Sequence, residues 1–323
     1  MIEFRYVRST LFIFSVFACG VINALAADYP DRPVRLIVGY GAGGGTDIMA
    51  RLTARKLTEK WAQSVIVENR AGADGTIAYD AVARSKPDGY TLAYMSNDFT
   101  VAPSLHKLNY DPMKDFVHVS LTASTPDILL VNASVPVNSL QELIAFAKAN
   151  PRKLNFGSSG PGSGPFLLMV RLNQATGMSM VHVPYSGTGP AMTALLGGVV
   201  NLLFSAVASA VPPMQTGKVK ALAITSRTRF YLTPDIPTVA EVANLPDYEG
   251  GVYYGVLAPA GTANEIVAKL YADMSVVLKQ PDAQKSMNDL GFVLVGNSPA
   301  EFRKQIADDI VMWANLLKTV DLK

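Results

Sequence analysis

Apolar positions along the chain fall into two alternating patterns: short runs rich in β-branched residues, and longer stretches in which apolar residues recur every three to four places. Val34–Val38 is the first such run; a glycine-rich segment follows, and a helical pattern then extends from Asp47 to about Trp61. Residues 64–68, 91–96, 128–131, 154–157, 181–183, 199–204 and 221–225 predict further strands, with helical stretches between most of them. The last quarter repeats the order: strand 253–258, helix 263–279, strand 292–295, and a helix from Pro299 with Ser298 at its N-cap. Alternation of this kind predicts an α/β fold in which mostly parallel sheets are flanked by helices, because parallel strands need a crossover between them.

The 323 residues suffice for two lobes of about 150 residues each. The Pro-containing stretches 122–127 and 235–246 are the expected passages between lobes. The partition that follows is a targeting segment at 1–26, one lobe from 27–124 plus 250–323, and a second lobe at 125–249. Two crossings make a hinge, whose usual purpose is closure on a ligand. No repeat or low-complexity stretch interrupts the pattern.

Arg5 and Arg8 precede the apolar run 11–17, and Ala24-Leu25-Ala26 supplies the small residues of a cleavage site. The run is shorter than the roughly 20 residues that span a bilayer. Cleavage after Ala26 or Ala27 is expected, which places the mature chain in the periplasm. The rival is a lipoprotein signal at Val16-Phe17-Ala18-Cys19, disfavoured by the bulky Phe17. Residues 199–211 are apolar but are interrupted by Asn201, Ser205 and Ser209 and ended by Pro212-Pro213, which suits a buried strand and a short helix.

Charge narrows the function. A net charge of +2, with no Lys/Arg run longer than two, argues against a nucleic-acid partner. Three histidines and one cysteine leave little for a metal site, Asp111, Asp115 and Asp127 are dispersed, and no cofactor is expected.

The glycine-rich segments carry the chemistry. Gly39-Tyr40-Gly41-Ala42-Gly43-Gly44 satisfies the dinucleotide fingerprint, and Glu68 ends the next strand where a ribose-binding acid would sit. An exported protein has no cytoplasmic nicotinamide pool, which counts against that reading. The physical use of the loop survives: glycines let backbone approach a ligand closely, and a helix start presents unpaired N–H groups that favour an anion. Thr46 or Asp47 is the candidate cap. Residues 157–165 form a second loop of this kind with three serines, and residues 184–190 a third. Together they describe a cleft lined by amide and hydroxyl donors, suited to a carboxylate. A hydrolase is the weaker alternative, because neither glycine loop contains G-x-S-x-G and His182 lies in an apolar strand, where a packed histidine is expected. Met169, Met178, Met180 and Met192, with Trp61 and Trp313, are expected to pack in cores.

The run from Tyr29-Pro30 through Pro33-Val34-Arg35-Leu36-Ile37-Val38 and the first loop to Asp47 resembles the opening of Bug-type proteins, the periplasmic solute receptors of tripartite tricarboxylate transporters. Val67-Glu68-Asn69-Arg70-Ala71-Gly72, Pro87-Asp88-Gly89-Tyr90, Gly157-Ser158-Ser159-Gly160, Val181-His182-Val183-Pro184-Tyr185 and Ile236-Pro237-Thr238-Val239 extend the resemblance over nearly the whole mature chain. It implies a two-lobed periplasmic-binding-protein (Venus flytrap) fold, a carboxylated ligand in the cleft, membrane transporter subunits as partners, a monomer, and no catalysis. A ligand sensor signalling to a membrane kinase is the alternative use of the same fold. The positions that match the family's binding residues are Tyr40, Gly41, Ala42, Gly44 and Asp47 on one lobe and Ser159, Gly160, Gly162, Ser163 and Tyr185 on the other. Three departures stand out: Gly39 where the family has Pro, Phe166 where it has His with Val170 where an acid is common, and Ser205 where an Asp is frequent. Phe166 and Ser205 are therefore candidate specificity positions. The loss of polar groups points to a less polar ligand, an aromatic acid or a longer diacid.

Overall fold

The computed structural model describes residues 29–318 except Ser186. The targeting segment, its cleavage position and Cys19 lie outside the described residues. Among those described, no helix is long and apolar enough to cross a membrane.

The first stretch of chain forms β1 (Val34–Val38), α1 (Gly45–Trp61), β2 (Val65–Asn69), α2 (Thr76–Ala83), β3 (Thr91–Ser96), α3 (Asp98–Leu105) and β4 (Phe116–Thr125). The middle forms β5 (Asp127–Asn132), α4 (Leu140–Ala149), β6 (Asn155–Ser158), α5 (Gly164–Thr176), β7 (Val181–Pro184), α6 (Thr188–Leu196), β8 (Leu202–Ala206), α7 (Val207–Met214), β9 (Val219–Ile224) and α8 (Val239–Ala243). The chain ends in β10 (Val252–Pro259), α9 (Asn264–Leu278), α10 (Pro281–Asp289), β11 (Val293–Leu294) and α11 (Pro299–Leu317).

Two sheets result, with strand orders β11-β4-β10-β3-β1-β2 and β7-β6-β8-β5-β9. Side chains alternate across each sheet as the pleat requires. Leu36 and Val38 pack with Met49, Leu57 and Leu270 of α1 and α9, while Ile37 between them packs with Tyr79, Phe99 and Phe302 on the other face. In the second sheet Leu129 joins Phe156, Leu167 and Phe204, and Ile128 and Leu130 join Leu195, Leu203 and Ile224. Each buried aliphatic or aromatic side chain contributes about 1.5–3 kcal/mol, so each lobe has its own two-sided core.

The sheets are mixed rather than mostly parallel. β1 is parallel to β2 and β3, and β6 to β7 and β8, but β10 runs antiparallel to β3 and β4, and β5 antiparallel to β8 and β9. The cause is the crossing itself. β5 is β4 continued past Pro126, so it enters the second sheet from the hinge side without the crossover helix that a parallel neighbour requires.

The return crossing also differs from the expectation of residues 235–246. The Ile224 amide donates to the Pro237 carbonyl at 2.9 Å and Ile224 bridges Thr238, which stitches that stretch to the second sheet; Thr238 and Glu241 then form a reciprocal cap on α8. Proline there ends a strand without moving the chain off the sheet edge. The chain returns instead at Gly250-Gly251. Gly251 has φ +148°, and a Cβ on it would fall 2.2 Å from the Thr125 carbonyl oxygen. A third link is α11: Phe302 and Ile306 lie in the first core, and Trp313 and Leu317 in the second.

Gly251→Ala is expected to lower stability in urea denaturation by at least about 2 kcal/mol, through backbone overlap added to backbone strain. Gly217→Ala, at φ +71° with nothing within 4 Å, isolates the strain alone and should cost about 1 kcal/mol.

Candidate functional site

Three strand-to-helix loops carry the residues singled out in the sequence. In the first, β1 hands the chain to α1 through residues 39–44. Gly44 is the extended N-cap of α1, and no side chain caps the helix. Its first-turn amides therefore keep their donor capacity. Gly45 must be glycine, because a Cβ there would fall 2.4 Å from the Tyr254 hydroxyl, whereas Gly41 and Gly43 face open space. Ala42 and Gly44 are exposed.

Asp47 is engaged within its own lobe. Only 2% exposed, its carboxylate accepts from the Gly43 amide, Arg51 Nε and Asn69 Nδ2, each at 2.9 Å. Burial raises its pKa, but the hydrogen bonds from Arg51, Gly43 and Asn69 outweigh burial and hold it below the usual value. Asp47 is thus an ionised brace that folds the loop back onto its own helix.

In the second loop β6 leads to α5, whose N-cap Ser163 is extended and makes no side-chain cap, with Pro165 in the first turn. The hydroxyls are spent inside the protein. Ser158 Oγ bonds His182 Nε2 at 2.7 Å, Ser163 Oγ donates to the Gly160 carbonyl at 2.7 Å, and Ser159 Oγ pairs with Thr188 Oγ1 at 2.9 Å. The loop meets the first lobe directly: a Cβ on Gly162 would fall 1.9 Å from Leu105 Cδ1 of α3, and one on Gly164 would fall 3.7 Å from Asn97 Nδ2. The third loop is tied to the second, since the Tyr185 amide donates to the Ser158 carbonyl and its ring lies against Gly157.

The side chains of Phe166 and Ser205 are both buried. Phe166 is 4% exposed, stacks on Phe156 and packs at a tilt against His182. Ser205, at the cleft end of β8, is fully buried, and its hydroxyl has no partner. His182 is a packed histidine: burial pushes its pKa down to about 4. Ser158 and His182 resemble a nucleophile and base, but the serine is fully buried and no carboxylate bonds the ring among the described residues.

The structure adds three residues to the site. Asn97 and Asp98 begin α3, an element that was not anticipated, and Asp127 opens β5. Tyr40 Oη donates to Asp98 Oδ2 at 2.7 Å, which joins the first loop to α3. Burial, partly offset by that bond and reinforced by the charge of Asp74, raises the Asp98 pKa to about 6. Asn97 Nδ2 donates to the Gly251 carbonyl at 3.3 Å, and its buried Oδ1 has no partner. Asp127 is fully buried with neither carboxylate oxygen bonded; burial and then the charge of Asp98 push its pKa up to about 7. Only Asp127 left a trace in the sequence, as an acid opening an otherwise apolar strand.

A cavity of about 760 Å³ lies behind the crossings, walled by Pro126, Gly251, Arg171 and Trp313. Asn97 borders it, and of the three loops only Gly164 does. Among the described residues, no group of three or more His, Cys, Asp or Glu is placed to hold a metal.

The profile of the tripartite tricarboxylate transporter family receptor matches residues 49–322. Protein BugT of Bordetella pertussis is 35% identical over 308 residues, covering 94% of each chain. Among solved structures, the periplasmic binding protein BugD superimposes with a TM-score of 0.81 at 35% identity, covering 90% of this chain and 98% of that one. R. palustris Rpa4515, solved with adipate, gives 0.84 at 33% identity with the same coverage.

The raised pKa of Asp127 has a testable sign. The folded state holds the proton more tightly than the unfolded chain, so folding is favoured below the unfolded value of 3.8 and loses that support as pH rises through about 7. Asp127→Asn is expected to raise Tm by several degrees at pH 8, with the gain shrinking toward zero as pH falls to 4. Differential scanning fluorimetry across that range checks it; a constant or falling gain on the alkaline side contradicts it.

Proposed function

Because the chain belongs to the tripartite tricarboxylate transporter receptor family, we propose that it is an extracytoplasmic receptor that captures a small carboxylate between its lobes and delivers it to the membrane subunits of such a transporter. The observation that carries this reading is that α1 and α5, one from each lobe, both start at glycine-rich loops without a side-chain cap, and that α3 touches both loops, through Tyr40–Asp98 and through Leu105 beside Gly162. Each helix start favours an anion by about 0.3–1 kcal/mol at an exposed site, and more when partly buried. Two of them contributed by opposite lobes couple anion binding to closure.

In this reading the lobes are residues 27–124 with 250–323 and residues 125–249, and the end of α11 serves as a third tether on the second lobe. Tyr40, Gly41, Ala42 and Gly44 form one jaw; Ser159, Gly160, Gly162, Ser163 and Tyr185 form the other. Backbone amides hold the ligand carboxylate, while Asp47 braces its loop. Phe166 and Ser205 act by shaping the second lobe. Residues 1–26 direct export, so the receptor works in the periplasm, as a monomer. The similar structure of R. palustris Rpa4515 was solved with adipate, and no catalytic step is assigned.

Gly41 offers a clean test, because a side chain there enters open space. Gly41→Leu should leave Tm unchanged while weakening the carboxylate found by native mass spectrometry of the purified protein at least tenfold, about 1.4 kcal/mol by titration calorimetry. Unchanged affinity would remove the first loop from the site. Disruption of the gene should abolish uptake of the same compound by cells.

A further inference from the structure

The floor of the interlobe contact carries an excess of hydrogen-bond acceptors. Asp127 is fully buried, with both carboxylate oxygens unpartnered. Asn97 Oδ1, on the opposite lobe, is buried and unpartnered as well. Its orientation is set, because the amide nitrogen of the same side chain donates to the Gly251 carbonyl, beside Pro126 at the crossing. Asp98 adds a second carboxylate, which accepts from Tyr40 Oη and is also supported by the Gly164 amide and the Ser96 hydroxyl. No lysine, arginine or histidine among the described residues pairs with either acid, and Asp98 is the only charged group acting on Asp127. Buried polar groups are almost always satisfied, and a buried carboxylate without a partner is costly.

A carboxylate ligand by itself cannot meet this need, since it brings further acceptors and no donor. It would also add negative charge beside two acids. A group with several N–H donors and a positive charge resolves both problems together.

We propose that Asp127, with Asn97 and Asp98, recognises a protonated amine, so that the ligand of this receptor is a zwitterion carrying both a carboxylate and an ammonium. This rests on the receptor function proposed above. The carboxylate lies at the starts of α1 and α5, and the ammonium lies at the crossing, where its three N–H groups meet the Asp127 carboxylate and Asn97 Oδ1. The less polar ligand expected from Phe166, Val170 and Ser205 gives way to one with a charged amine. Asp127 pairs with Ala206 in the β5–β8 register, one residue from the Ile128–Ser205 pair and on the opposite face of the sheet.

The test is titration calorimetry at pH 7.5 with matched pairs differing only in the amine: glutamate with glutarate, phenylalanine with 3-phenylpropionate, and 6-aminohexanoate with hexanoate. The wild-type protein should bind the amine-bearing member of at least one pair at least tenfold more tightly. Asp127→Asn should reduce that ratio to near one while leaving affinity for the nitrogen-free member within threefold, and Asp127→Ser should do the same. The expected stabilisation of Asp127→Asn keeps a folding defect from imitating the result, and Tm of each variant is measured alongside. Preference for the nitrogen-free member in every pair overturns this inference and leaves the receptor reading standing. An amine preference that survives both substitutions at Asp127 also overturns it. Failure of every compound in all three pairs to bind counts against both proposals.

Discussion

The structure depends on two strands passing each other between the lobes without room for a side chain. The outgoing strand reaches Thr125-Pro126 and the returning strand reaches Gly250-Gly251, with the Thr125 carbonyl pressed against Gly251. That closeness sets the direction in which β5 and β10 enter their sheets, which is why both sheets are mixed. It also sets where Asn97 is held, since its amide binds the Gly251 carbonyl. A bulkier residue at 251 would separate the strands and displace the floor of the cleft along with them.

Around that crossing the electrostatics divide into two parts of opposite sign. Helix starts from both lobes offer uncapped N–H groups, and their serine hydroxyls are already committed within the second loop. The anion-binding capacity therefore lies in the backbone, which cannot be titrated and needs no reorganisation. Asp98 and Asp127 provide the opposite sign, and burial makes both reluctant to ionise. Asp47 shows the contrast: also buried, it is held ionised by Arg51, Asn69 and a backbone amide, because its partners are within its own lobe. A buried acid with internal partners is structural; one without them is available to a visitor.

The pattern of apolar residues made most of the architecture legible. β1 and β3 match their expected spans, and Ser298 caps α11 as expected, through a reciprocal bond with Glu301. The packed state of His182 and of Trp313 was legible for the same reason, each lying on the apolar face of its element. β4 and α3 were not anticipated. β4 mixes His118, Ser120 and Thr122 into its buried positions, and α3 is eight residues long with Pro103 inside it, so neither shows a clean period.

Local order was thus written in the sequence: most strands and helices in their order, and glycine loops at helix starts. These follow from interactions between residues near in sequence, such as pleat alternation, helix periodicity and capping. What tertiary structure alone decided was which polar groups end without partners. Asn97 and Asp127 look like ordinary residues along the chain, yet each ends with buried oxygens unpartnered. The crossing brings an α3 start from one lobe near a β5 start from the other, and burial there removes these groups from water. Burial and partnership are properties of contacts distant in sequence, and no local pattern encodes them.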